Sequence, residues 1–127
     1  MTSRWQMIGN IQREDGRHSC ENVDVEGNHA PGCSGRHEVG HHGCFPAQKS
    51  ETRKEYRTFL DSPINYVPSS HVCNTLRNGD PEAVQMMRLE KAMTMYPDWE
   101  IKAWLSSAPD EIKTRHTWKN MWKVVSE

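Results

Sequence analysis

The stretch His37-Glu38-Val39-Gly40-His41-His42-Gly43-Cys44-Phe45 sets two histidines side by side in a short apolar setting and follows them with a thiol. Two adjacent imidazoles are costly neighbours when both are charged. On a strand they leave opposite faces, so each would meet a different environment. The bland reading is an ordinary pair, one on the surface and one in the core. The sharper reading is that something is wanted on each side of the strand.

Around this stretch the reactive side chains crowd together. All four cysteines and six of the seven histidines lie between His18 and Cys73, in a half rich in Gly, Pro, Asn and Ser that reads as loops, turns and short strands. Three His-x-Cys triplets occur there, His18-Ser19-Cys20, His42-Gly43-Cys44 and His71-Val72-Cys73, with His29 and Cys33 nearby. Thiols and imidazoles so close in sequence suit tetrahedral Zn²⁺, although no CxxC pair is present.

From residue 80 onward the pattern turns helical. Asp80 is a suitable N-cap and Pro81 suits a first helical position, which predicts a helix from Pro81 to Tyr96 with Ala83, Val84, Met87, Ala92 and Met95 near one face. Pro97 ends it. Asp98 then caps a short helix carrying Trp99, Ile101, Trp104 and Leu105, and a third helix follows with Ile112, Trp118, Met121, Trp122 and Val125 on a stripe. These tryptophans read as core. At the other end Trp5, Ile8 and Ile11 predict a helix that Gly9 weakens.

A chain of 127 residues makes one ordinary domain, expected to span 1–127. Its 16 basic and 17 acidic residues give a formal charge of -1, which argues mildly against a nucleic-acid binder. No charged leader with an apolar stretch opens the chain and no run is long enough to span a bilayer. A soluble intracellular protein is expected, without membrane contact, where metal ligation or burial explains cysteines better than disulfides.

One further pattern is more specific. "HEVGHHGCF" is followed by "FLDSPINYVPSSHVCNTL", with Asn65 in a strand-like run and Cys73-Asn74 opening a helix. This resembles the HNH nuclease family, in its phage-type branch, over roughly Arg13 to Leu105. The resemblance implies a small α+β fold with a ββα-metal core over residues 13–78. Its first strand would be Glu38–His42, its loop "QKSETRKEYR", its second strand Ile64–Val67 and its helix would start at Cys73. A helical tail over residues 80–127 would pack against it.

Carried over by position, the resemblance makes His42 the general base that takes a proton from water, and places His41 and Asn74 on a catalytic Mg²⁺ or Mn²⁺. Asn65 would brace the loop that positions His42. The reaction implied is metal-dependent hydrolysis of phosphodiester bonds in DNA. Many relatives also hold a structural zinc with two CxxC pairs. Here Cys33 and Cys73 stand at family positions with Ala30 and Ser70 as their partners, so His29 and His71 are candidates to complete a Cys₂His₂ site. Cys20, His18 and His37 are further candidates, and loss of the zinc is the alternative.

The stretch "KSETRKEYR" has Lys49, Arg53, Lys54 and Arg57 against Glu51 and Glu55. It is either a solvated helical face or, beside a metal site, a set of phosphate contacts made by Arg53, Lys54 and Arg57. A different function class also stands: an HNH-like or zinc-binding module without turnover, for example a phage protein that binds and regulates a host protein. Either reading expects the cytoplasm of a bacterial host if the chain is phage-encoded.

Overall fold

Ser3 and Gln6 start the chain's first helix with a reciprocal cap. The Ser3 hydroxyl accepts from the Gln6 amide at 3.1 Å while the Gln6 side chain accepts from the Ser3 amide at 3.0 Å. The helix α1 runs Arg4–Glu14. The computed structural model describes residues 3–46, 54–76 and 80–127. Among these the chain is α+β, with seven helices and a small two-stranded antiparallel sheet.

The sheet is made by β1 (Val39–His42) and β2 (Tyr66–Ser69), in a register that sets His41 opposite Val67 and His42 opposite Tyr66. Between them lie α2 (Lys54–Leu60) and a 3-10 turn over Pro63–Asn65. The second strand therefore starts later than the sequence suggests. Ser62 caps Ile64 and Pro63 begins the turn, so Ile64 and Asn65 belong to it and not to the strand. α3 (His71–Leu76) follows β2 almost directly, starting two residues before the expected Cys73.

Two glycines let α1 lie against this hairpin. A Cβ at Gly9 would come within 2.6 Å of the Tyr66 hydroxyl, and one at Gly40 within 2.3 Å of the Tyr66 ring and 2.4 Å of Trp5 Nε1. Gly9 thus lowers helix propensity but permits the packing that orders the helix. Of the expected apolar set on α1, Ile8 is buried, whereas Ile11 is exposed.

The tail forms α4 (Glu82–Met95), α5 (Asp98–Ser106), α6 (Asp110–Lys113) and α7 (His116–Ser126). What reads as one long third helix is two, broken at Thr114 and Arg115. The main core joins Cys44, Phe45, Phe59, Leu60 and Ile64 to Leu89, Ile101, Trp104, Leu105, Ile112, Met121 and Val125, so the tail packs on the central region. Phe59 and Trp104 stack with centroids 4.7 Å apart, and Trp104 Nε1 donates to the Phe59 carbonyl. Trp118 and Trp122 stack on each other at the core's margin. Trp99 departs from the core reading, at 71% exposed.

The buried face of α4 is Val84, Gln85, Arg88, Leu89 and Ala92, while Ala83 and Met95 are exposed. The helix is rotated from the apolar stripe its sequence suggests because it buries a cation, Arg88, that has partners waiting for it. A second, smaller cluster gathers Cys20, Ala30 and Cys73 with Cys33 and Val72.

Candidate functional site

Segment 18–21 brings the first cysteine to the others. Ser19 bridges to Arg36, the Cys20 amide donates to the Gly35 carbonyl at 3.0 Å, and the Glu21 amide donates to the Pro68 carbonyl at 2.8 Å. A turn over Ala30–Cys33, closed by the Cys33 amide on the Ala30 carbonyl, carries His29 and Cys33. Cys73 comes from α3. The ligand atoms of Cys20, His29, Cys33 and Cys73 all lie within 4.8 Å of one another.

The two edges from His29 fit a tetrahedral metal. His29 Nδ1 lies 3.6 Å from Cys33 Sγ and 3.8 Å from Cys73 Sγ. With Zn–S near 2.3 Å and Zn–N near 2.0 Å, the edge between two such ligands is about 3.5 Å. The Gly35 amide donates to Cys33 Sγ and Ser70 Oγ lies 3.2 Å from the same sulfur. These contacts hold the Cys33 thiol below its ordinary pKa, the Ser70 hydrogen bond first, while burial pushes the Cys73 thiol up. This Cys₃His cluster could hold a metal ion such as zinc.

Three of the four residues at the expected zinc positions, Cys33, Cys73 and His29, are brought together; the fourth place is taken by Cys20. His71 is exposed at the start of α3, and its amide donates to Glu38 Oε1. His18 is exposed, and His37 is buried between the Arg17 carbonyl and the Tyr66 hydroxyl. Cys44 lies in the main core, where burial pushes its thiol up to about 12.

Beside this cluster stands the histidine pair, and its two side chains have separate partners. His41 is 5% exposed. Its Nδ1 is 2.9 Å from Asn74 Oδ1 and its Nε2 is 2.9 Å from Asp80 Oδ2. Asp80 in turn accepts from Arg88 Nη1. Arg88 also donates to the Gly43 carbonyl at 3.2 Å and to Asn22 Oδ1 at 2.6 Å, and Asn22 donates to Ser69 Oγ. Burial pushes the Asp80 carboxyl up, but the hydrogen bonds from His41 and Arg88 outweigh it and hold the group below its ordinary pKa.

His42, on the other face of β1, is 2.8 Å from Asp61 through Nε2 and lies flat against Trp5. Burial keeps its pKa below the usual imidazole value despite Asp61. Asn65 is fully buried beneath the turn that follows. Its Oδ1 accepts from the Cys44 and Phe45 amides, and its Nδ2 donates to the Phe45 and Leu60 carbonyls. Arg57 Nη2 donates to both Asp61 oxygens, at 3.2 and 3.3 Å, and Lys54 is exposed on the same helix. Arg53 lies outside the described residues.

Five residues of this site, Trp5, Asn22, Asp61, Asp80 and Arg88, have no part in the sequence reading of the chemistry. Asp80 reads as a helix cap, yet Pro81 holds the cap position and the Asp80 carboxylate is turned to His41. The signal for Arg88 was a charge on a helix face with Val84, Leu89 and Ala92. Comparison with protein-family models, with curated proteins and with solved structures finds no match to this chain.

Proposed function

We propose that the protein is a metal-dependent endonuclease of the HNH type, hydrolysing phosphodiester bonds in DNA around a ββα-metal core made of β1, β2 and α3. The observation that carries this reading is the meeting of His41 and Asn74 at 2.9 Å, with His42 separately held on the other face of the same strand. Two neighbouring ligands of an octahedral ion with bonds of about 2.1 Å lie about 3.0 Å apart, so the Nδ1 and Oδ1 atoms have the spacing that Mg²⁺ or Mn²⁺ needs.

In this mechanism Asp61 accepts from His42 Nε2, which leaves Nδ1 as the basic nitrogen that takes a proton from the attacking water. Asn65 fixes the turn after His42, and so the ring's position, through its hydrogen bonds to that turn and to Leu60. His41 and Asn74 would hold a divalent cation, which would supply charge stabilisation at the scissile phosphate and leaving oxygen. Lys54, exposed on α2, and Arg57, beside Asp61, would supply phosphate contacts. The Cys₃His cluster, through Cys73, fixes the helix on which the next residue, Asn74, stands.

A second reading, a module without turnover that binds a partner protein, is favoured by Trp99. A tryptophan 71% exposed on a helix is the kind of anchor a protein interface buries. A plasmid-nicking assay with Mg²⁺, with Mn²⁺ and with EDTA separates the two. Divalent-dependent nicking supports the nuclease. Intact plasmid in every lane, with partner binding lost in Trp99→Ala, supports the module.

A further inference from the structure

Asp80 has a place in this geometry that neither its sequence context nor the nuclease reading assigns. It is 7% exposed at its side chain, ion-paired with a guanidinium, and aimed at the nitrogen of His41 that faces away from Asn74. Arg88 is fixed in turn by the Gly43 carbonyl and Asn22, so the carboxylate is held from behind by groups on three segments of the chain.

We infer that Asp80 is the positioning residue of the cation site: it accepts the Nε2 proton of His41 and thereby presents the Nδ1 lone pair, beside Asn74 Oδ1, to a divalent cation. The inference rests on the nuclease reading and deepens it, by stating which nitrogen binds and what sets it. A carboxylate can only accept, so the proton between Asp80 and His41 belongs to Nε2. In the neutral ring Nδ1 then carries a lone pair beside a second acceptor 2.9 Å away, whereas a ring protonated on both nitrogens would donate to Asn74 as well as to Asp80. Two facing lone pairs repel, and a cation bound by both removes the repulsion.

The opposite corner is the poorer metal site. Asp80 Oδ2, the oxygen nearest Nε2, already accepts from Arg88, and a metal ion there would sit against a guanidinium. The carboxylate therefore acts one shell out, as acidic partners of metal-bound histidines commonly do.

The test uses the full chain, labelled with ¹⁵N-histidine and supplied with one equivalent of Zn²⁺ for its Cys₃His cluster, at pH 7.5. His41 signals are assigned by their loss in His41→Gln. Two-bond ¹H–¹⁵N spectra should show His41 neutral, with the proton on Nε2, and substoichiometric Mn²⁺ should broaden Nδ1 before Nε2. Asp80→Asn should weaken Mn²⁺ binding about tenfold or more, with part of the affinity recovered in Asp80→Glu.

A ring protonated on Nδ1 or on both nitrogens, broadening that starts at Nε2, or unchanged Mn²⁺ affinity in a folded Asp80→Asn overturns the role of Asp80 alone. Mn²⁺ that leaves every His41 signal untouched overturns it together with the cation site of the nuclease reading. The tautomer is read on the wild-type chain, so the result stands even where the variant does not fold.

Discussion

Trp5 lies flat on His42, with ring centroids 4.0 Å apart and planes 6° from parallel. Asp61 fixes the same imidazole within its own plane, through Nε2 at 2.8 Å. One partner controls the tilt of the ring and the other its rotation, so a helix outside the hairpin contributes to the geometry of the proposed base.

Trp5→Leu should therefore leave the chain folded, since Trp5 is only half-buried, while loosening His42. Under the nuclease reading the expected result is a fall in kcat between about tenfold and a hundredfold, with DNA affinity little changed. Single-turnover nicking and a binding titration check it. A variant that cuts at the wild-type rate removes Trp5 from the mechanism.

His42→Ala removes the base and not the cation ligands. Divalent-dependent cleavage should be lost, while Mn²⁺ affinity and the melting temperature stay close to wild type. Loss of Mn²⁺ binding in this variant would show that the two histidines do not divide the work by strand face.

Purified protein should contain about one zinc per chain, and chelation should lower its melting temperature. The geometry names the ligands: Cys20→Ser and Cys73→Ser should each lose the metal, and His71→Ala should keep it. Elemental analysis of the three variants decides between Cys20 and His71 as the fourth ligand.

Much of the α+β layout is legible in sequence because it depends on local signals: Pro and Asp at helix starts, apolar spacing in the tail, and a short strand at the histidine pair. The Cys₃His quartet is only partly so. His29, Cys33 and Cys73 stand near one another in motif terms, whereas Cys20 arrives through a backbone bridge, Ser19 to Arg36, that side-chain spacing does not encode. Asp80 and Arg88 are hidden for a different reason. Each has an ordinary local use, as a cap and as a surface cation, and only tertiary pairing turns them inward. Trp5 is apolar at helical spacing, which looks the same whether a ring meets a core or an imidazole.

His37 is a buried histidine away from both proposed metal positions, and burial lowers its pKa although the Arg17 carbonyl raises it. The unfolded chain has an ordinary histidine near pH 6.5. Above that value His37 is neutral in both states and its contribution to stability is complete. As pH falls through 6.5 toward the lower folded value, the unfolded state binds the proton first and that contribution is lost. Urea unfolding at pH 7.5, 6.5 and 5.5 should show His37→Gln less stable than wild type at pH 7.5, with the gap narrowing at pH 5.5. A gap independent of pH would mean that His37 titrates alike in both states.

Gly40 is where the packing of α1 on the hairpin can be tested most directly. An alanine there would place its Cβ 2.3 Å from the Tyr66 ring and 2.4 Å from Trp5 Nε1, and Tyr66 is buried and tied to His37, so it has little room to retreat. Trp5 is the half-exposed partner and can retreat from its own clash, which leaves the clash with Tyr66 to be absorbed by the backbone. Gly40→Ala should cost about 1–3 kcal/mol of stability, the usual range for forcing a methyl into a filled site. It should also carry Trp5 off His42, lowering the cleavage rate in the same direction as Trp5→Leu. Because one of the two clashes is with Trp5, Gly40→Ala combined with Trp5→Ala should be less destabilised than the sum of the single changes, a coupling that a double-mutant cycle reads in melting temperature and urea midpoint. Strict additivity would mean that Tyr66, and not Trp5, is the neighbour that gives way.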